Sequence, residues 1–180
     1  MVMKNKSVQN ITQIAMFAAI IAVCSIISIP LPSGIPVTLQ TFAIALTGFL
    51  LGWKNGTISV AVYLAIGAIG VPVFSGFTGG FARLFGVTGG YLWGFLGMAA
   101  LCGIAANKNK ALTIILSILG LAVCHGFGTL QFAFVSGSSP IEAFIIASAP
   151  YLIKDVVSVV IAYVLAIAVQ KALQLRKVQN

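Results

Sequence analysis

Long apolar runs take up most of this 180-residue chain, and they constrain its fold more than any motif does. A straight helix needs about 20 mainly apolar residues to cross the hydrocarbon core of a bilayer. We place six spans, roughly at residues 11–29, 38–52, 57–71, 88–106, 111–135 and 150–173. The sequence therefore predicts an all-α integral membrane protein, with one transmembrane domain of six helices over residues 1–180.

The few charged residues fall mainly in the gaps between these runs. Hydrophobic residues make up 60% of the chain and charged residues 7%, whereas roughly a quarter of the residues in soluble domains are charged. The ten Lys and Arg face only two acids, Glu142 and Asp155, a balance that in a soluble protein suggests nucleic acid. Because the basic residues are dispersed among short loops, we expect surrounding membrane lipid and no nucleic-acid partner.

The basic residues also suggest an orientation in the membrane. With six spans, the loop residues on the amino-terminal side hold nearly all of them: Lys4, Lys6, Lys54, Lys108, Lys110, Lys171, Arg176 and Lys177. The opposite loops hold only Arg83. Since loops rich in Lys and Arg remain in the cytoplasm, we expect both termini to be cytoplasmic.

A Gly-rich segment at residues 76–91 lies between the third and fourth predicted spans and contains Arg83. Non-helical backbone at membrane depth survives only when it is buried in protein or lines a cavity. The guanidinium of Arg83 and the amides of Gly79, Gly80 and nearby glycines can bind an anion. The alternative is a solvated loop arginine. The segment is therefore a candidate extracellular binding loop.

Three further residues of this segment are candidates for the same site. Phe77 and Tyr91 can stack on a ligand, or they belong to the aromatic belt at the membrane interface. Thr78 lies between Phe77 and the first glycine pair.

Two charged neighbours, Lys154 and Asp155, lie near the start of the last predicted span. Ionisable side chains inside an apolar helix usually face the protein interior, a partner or a substrate. Adjacent helical residues point about 100° apart, so we expect separate partners, with mutual pairing as the alternative. Asp155 can accept hydrogen bonds from paired N–H groups, and Lys154 can donate to a carbonyl or carboxylate. Gln40 can reach the same cavity or bond to another helix.

The remaining reactive residues indicate no chemistry. Cys24, Cys102 and Cys124 lie within apolar runs and lack the spacing of metal ligands. We expect His125, the only histidine, to bond between helices. Without a nucleophile paired to a base or a metal site, the chain is not expected to be an enzyme or to hold a cofactor.

The first predicted span has a face of small residues. Ala15 pairs with Ala19, and Ala18 with Ala22, as overlapping small-xxx-small motifs. Such motifs permit close helix approach. The approaching helix is either in this chain or in another membrane subunit.

Four runs resemble the BioY family, the biotin-specific S components of energy-coupling factor (ECF) transporters. They are Pro-Val-Thr-Leu-Gln-Thr-Phe at 36–42, Gly-Ala-Ile-Gly-Val-Pro-Val-Phe at 67–74, Gly-Val-Thr-Gly-Gly-Tyr at 86–91 and Pro-Tyr-Leu-Ile-Lys-Asp at 150–155. The resemblance extends over nearly the whole chain. Val87 and Ser158 depart from it, because the family often has Pro and Lys at these places.

The resemblance implies a function that the residues alone do not identify. It implies a six-helix protein of a prokaryotic plasma membrane that captures biotin from outside. It also implies partners, namely a transmembrane coupling subunit that docks on the alanine face and two cytoplasmic ATPases. The alternatives are an S component for another vitamin and a self-sufficient facilitator of small-molecule transport.

Overall fold

The computed structural model describes residues 6–30, 35–106 and 108–178, with side chains as far as residue 173. Lys4, counted above among the cytoplasmic charges, lies outside the described residues, and the side chains of Arg176 and Lys177 do as well. Within these ranges the chain is almost entirely helical. Its elements are α1 Lys6–Ile26, β1 Ser28–Ile29, β2 Val37–Thr38, α2 Gln40–Ala68, α3 Ala82–Phe85, α4 Gly89–Ala105, α5 Lys110–Ser136, α6 Pro140–Ala147 and α7 Ala149–Val178.

The prediction of six transmembrane helices is wrong. In the part of the chain that the structure describes, four helices are long and apolar enough to cross a membrane, namely α1, α2, α5 and α7. Helix α4 is apolar but has only 17 residues. The orientation inferred above, with both termini cytoplasmic and the Gly-rich loop extracellular, depended on six spans and loses its basis with them.

Part of the miscount comes from the shortness of α4, and the rest arises at Gly52, which lies inside α2. The predicted loop after it, residues 53–56, is helical, and the predicted second and third spans form one element. Gly52 alone breaks the helix, with φ +75° and ψ 173°, a conformation that glycine adopts without steric cost. Helix α2 counts among the four by its full length of 29 residues, but neither of its parts, residues 40–51 and 53–68, alone reaches the length of about 20 residues that a straight span needs.

The two parts of α2 contact each other instead of continuing along one axis. A Cβ atom added at Gly56 would lie 3.1 Å from the Cα of Gly48, although eight residues of straight helix span about 12 Å. A Cβ atom at Gly48 would in turn lie 2.6 Å from the carbonyl oxygen of Ala99 in α4. The bend of α2 and its packing on α4 therefore both depend on small residues.

Helix α4 is the centre of the bundle, packed between α2 and α5, while α7 packs against α2. A main cluster of buried apolar side chains joins α1, α2, α4, α5 and α7. A smaller cluster joins Ile35 to the ends of α5, α6 and α7. The space between these two clusters holds the cavity described below.

Short elements close the bundle at the end where α2 and α7 begin. Strands β1 and β2 pair antiparallel, with Ser28 opposite Thr38. Helix α6 begins with a capping box in which Ser139 and Glu142 exchange hydrogen bonds. These bonds from Ser139 hold the pKa of Glu142 below its usual value. The sheet precedes α2 and α6 precedes α7, whose second turn carries Lys154 and Asp155.

Candidate functional site

A cavity of about 350 Å³ opens between the two-stranded sheet, the loop that precedes α4, and helices α2, α4, α5 and α7. Six of the nine predicted binding residues line it: Gln40, Thr78, Arg83, Tyr91, Lys154 and Asp155. They come from three separate regions of the sequence, namely Gln40, the Gly-rich segment and the pair at 154–155. Phe77, Gly79 and Gly80 are not among its lining residues.

Asp155 is the buried acid of the cavity, with only 5% of its surface exposed. Its Oδ2 lies 3.2 Å from Nε2 of His125 on α5, and its Oδ1 contacts Nζ of Lys154. The two residues therefore pair with each other, which was the alternative, because the long Lys154 side chain reaches back to its neighbour, and each also has the separate partner that was expected. Buried charges in proteins are normally paired in this way.

Lys154 also connects α7 to the two-stranded sheet. Its Nζ donates to the carbonyl oxygen of Thr38 at 3.2 Å. About 30% of the Lys154 side chain remains exposed. The ammonium group thus lies between a buried carboxylate and the open part of the cavity.

His125 is the site residue that sequence reasoning undervalued. It is 5% exposed, lines the cavity and bonds to Asp155. Its other ring nitrogen, Nδ1, is buried without a hydrogen-bond partner among the described residues. The only signal in the sequence was an ionisable residue inside an apolar run, and the separation of 30 positions between His125 and Asp155 hides their contact.

Tyr91 contributes its ring to the cavity and its hydroxyl to the packing of the bundle. The hydroxyl donates to the carbonyl oxygen of Ala147 at 2.5 Å and lies 2.9 Å from Oγ of Ser148. Its ring meets the His125 ring edge-on, with centroids 5.8 Å apart. Tyr151, which was not predicted as a site residue, lines the cavity in the same manner and donates to the carbonyl oxygen of Ile35 at 2.6 Å.

Gln40 lines the cavity, but its polar atoms are already occupied. Its Nε2 donates to Oγ of Ser25 at 2.8 Å and to Oη of Tyr63 at 2.9 Å. Its Oε1 accepts from Thr38 at 3.0 Å. Because an amide has two N–H groups, Gln40 has none left for a ligand, and bonding between helices describes its contacts.

Within the Gly-rich segment, Arg83 lies at the cavity. The first glycine pair, Gly79 and Gly80, instead packs against backbone at and just after the end of α2. The N–H of Gly80 donates to the carbonyl oxygen of Gly67 at 2.7 Å, so this amide is not available to an anion. Gly79 packs on the carbonyl of Val71, where a side chain would collide. Phe77 is 69% exposed and has a positive φ of 55°.

Arg83 itself is exposed and lines the cavity from α3. Its guanidinium makes no ion pair or hydrogen bond with any residue in the described ranges. It therefore presents a cation with five unused donors to the cavity. The Gly-rich segment that carries it contains no acid. This arrangement fits a group that binds an anionic ligand, and it also fits the solvated loop arginine that was the alternative.

A second hollow, a groove of about 370 Å³, follows the alanine face of α1. All four predicted docking residues, Ala15, Ala18, Ala19 and Ala22, line it. Its other wall comes from the second part of α2 and from Val73. Ala18 is buried against the bundle, whereas Ala15 and Ala19 are exposed. The small residues therefore serve packing within the chain and also leave an open apolar groove.

Comparison with known proteins gives one consistent family. The family model described as "BioY family" matches residues 2–175. The probable biotin transporter BioY of Pyrococcus horikoshii is 35% identical over 158 residues, which cover 88% of this chain and 94% of that protein. The biotin transporter BioY of Thermotoga maritima is 34% identical, with coverage of 91% and 96%.

The fold agrees with a solved structure. A crystal structure of the S-component for biotin from an ECF-type ABC transporter has a TM-score of 0.84 to this chain, with 28% identity and 95% coverage of both chains. A family model over most of the chain and relatives above 30% identity over nearly their full length point the same way. The chain belongs to the BioY family, as its sequence motifs indicated.

Proposed function

We propose that this chain is the biotin-binding S component of an ECF-type ABC transporter, and that biotin occupies the cavity beside Asp155. The observation that carries the proposal is the placement of two different polar groups in one cavity. Asp155, His125 and Lys154 form a buried polar end, and the unpaired Arg83 guanidinium lies on the exposed loop. Biotin is likewise polar at two ends and apolar between them.

The buried end suits the ureido ring of biotin. That ring has two N–H donors and one carbonyl acceptor. A carboxylate has about four lone-pair sites, so Asp155 can accept from ureido N–H groups while it remains paired with His125. Lys154, whose Nζ borders the open cavity, can donate to the ureido carbonyl.

The exposed end suits the carboxylate of biotin. Arg83 offers a planar fork of donors that matches a carboxylate. Arg83 and Lys154 contribute two positive charges to the cavity and Asp155 contributes one negative charge, so a ligand with one negative charge balances the site. The aromatic rings of Phe74, Tyr91 and Phe95 provide apolar walls for the fused thioether ring between the two ends.

Transport requires partners, because the sequence has no Gly-Lys-Ser/Thr phosphate-binding motif. The BioY proteins to which this chain is similar are transporters rather than enzymes. We place the transmembrane coupling subunit on the alanine groove of α1, with two cytoplasmic ATPases attached to that subunit. Membrane lipid covers the remaining apolar surface of this multi-pass plasma membrane protein.

The test is titration calorimetry of the purified, ligand-free protein in detergent, with biotin, dethiobiotin and thiamine. The proposal expects saturable binding of biotin at one site, weaker binding of dethiobiotin, which lacks the sulfur, and no binding of thiamine. Folding is checked by a cooperative thermal transition in the same sample. Binding of thiamine in preference to biotin, or no binding by folded protein, would remove the proposal.

A further inference from the structure

Gln131, on α5, reaches across to the loop that carries Arg83. Its Nε2 donates to the carbonyl oxygen of Leu84 at 2.9 Å and to the carbonyl oxygen of Gly86 at 2.8 Å. We propose that Gln131 is a positioning residue for ligand recognition, which holds the Arg83 backbone so that the guanidinium can bind the ligand's carboxylate. This inference rests on the proposed function, because it assumes that Arg83 binds the carboxylate of biotin.

The amide of Gln131 has a single workable orientation. Both of its N–H groups point to carbonyl oxygens of the loop, and the opposite orientation would place its oxygen against two acceptors. The carbonyl of Leu84 also accepts from Nε1 of Trp93 at 3.1 Å. Two donor contacts, one from α4 and one from α5, thus hold Leu84, the residue that directly follows Arg83, and a third holds Gly86.

The second glycine pair of the sequence makes room for this contact. A Cβ atom at Gly89 would collide with Nε2 of Gln131 and with the carbonyl of Leu84. A Cβ atom at Gly90 would collide first with the carbonyl oxygen of Phe127, at 2.1 Å, and would also lie 2.8 Å from Cβ of Gln131. Larger residues at these positions would push the amide away from the loop. The Gly-Gly motif, which suggested anion-binding amides, therefore lets α4 approach α5 closely, and Gly89 leaves the room that the Gln131 amide occupies.

The hydrogen bonds from Gln131 and Trp93 reduce the entropy cost of binding a ligand at Arg83. Arg83 is exposed, its guanidinium makes no hydrogen bond or ion pair among the described residues, and it belongs to a helix of only four residues. Ordering a long side chain on a mobile backbone costs conformational entropy on binding. A backbone fixed by three hydrogen bonds reduces that cost before the ligand arrives. The effect should appear only for ligands that use Arg83.

The experiment compares Gln131→Met, which keeps the length of the side chain and removes its donors, with Gln170→Met. Gln170 is the matched control, because its Nε2 also donates to a backbone carbonyl, that of Phe49 at 3.2 Å, outside the cavity. Affinities for biotin and for its neutral amide are measured by calorimetry. Trp93→Phe, which removes the third donor, is a second test variant.

We expect Gln131→Met to weaken biotin about tenfold and the amide less than about twofold, as for the loss of one or two hydrogen bonds that order the loop. Gln170→Met should change neither affinity. In Arg83→Ala protein, Gln131→Met should cause no further loss of biotin affinity. Retained binding of the amide shows that each variant is folded.

Other outcomes separate this inference from the proposed function. If wild-type protein does not bind biotin, or if Arg83→Ala keeps its preference for biotin over the amide, the assumption about Arg83 fails. If Arg83→Ala loses that preference and Gln131→Met keeps it, only the positioning role is overturned. Equal weakening of both ligands by Gln131→Met would indicate general packing and would also overturn it.

Discussion

Replacing Asp155 with Asn tests the buried end of the cavity. The substitution keeps the size of the side chain and removes the negative charge that His125 and Lys154 share. It also replaces one acceptor oxygen with an N–H donor, which would face the N–H groups of a ureido ring. The substitution therefore removes a carboxylate that the ureido ring, His125 and Lys154 would all use as a partner.

The size of the effect follows from these contacts. A hydrogen bond to a charged group contributes about 1.5–3 kcal/mol, and the loss of one such bond corresponds to an about ten- to hundredfold weaker biotin affinity. Removing one member of a buried ion pair costs about 3–5 kcal/mol of stability. Because 30% of the Lys154 side chain is exposed, its ammonium can turn to water, and we expect less than this full cost.

Glu142→Gln is the matched control, because Glu142 is the only other acid of the chain and is exposed on α6, away from the cavity lining. The assays are biotin titration and thermal unfolding of both variants in the same detergent. Asp155→Asn should bind biotin at least about tenfold more weakly than Glu142→Gln and unfold at a lower temperature. Equal affinity in the two variants would refute the role of Asp155 in the site.

Three further predictions address the exposed end, the groove and the cap of α6. Arg83→Ala should reduce the affinity for biotin, but not for biotin amide, by about tenfold in calorimetry; equal losses would contradict carboxylate binding. Ala19→Trp should abolish copurification with the coupling subunit without changing biotin affinity, whereas Ala122→Trp, on the exposed face of α5, should change neither. The lowered pKa of Glu142 stabilises the fold above the usual glutamate pKa of about 4.3, and this contribution disappears as the pH falls through the folded-state value; Glu142→Gln should flatten that acid limb of the unfolding curve.

The sequence predicts helices well wherever apolar runs are long and uninterrupted. The predicted spans at 111–135 and 150–173 correspond to α5 and α7. The failure at α2 has a local cause, because Trp53-Lys54-Asn55-Gly56 has the composition of a loop although these residues are helical. A single glycine with positive φ produces the bend. A hydropathy pattern does not reveal the backbone conformation of one residue.

For the site, charge inside an apolar chain was the useful signal. It singled out Arg83, Lys154 and Asp155, which the structure places around one cavity. It did not distinguish a ligand contact from a contact between helices, because both satisfy a buried polar group equally well. Gln40 and His125 both line the cavity, but the N–H groups of Gln40 are taken up by Ser25 and Tyr63, whereas Nδ1 of His125 has no partner among the described residues.

A structure of the biotin complex tests the central claim most directly. The account predicts biotin in the cavity, with its ureido N–H groups within hydrogen-bond distance of the Asp155 carboxylate and its own carboxylate against the Arg83 guanidinium. Biotin bound in the reverse direction would contradict the assignment of the two ends. Biotin bound outside this cavity would contradict the account of the site as a whole.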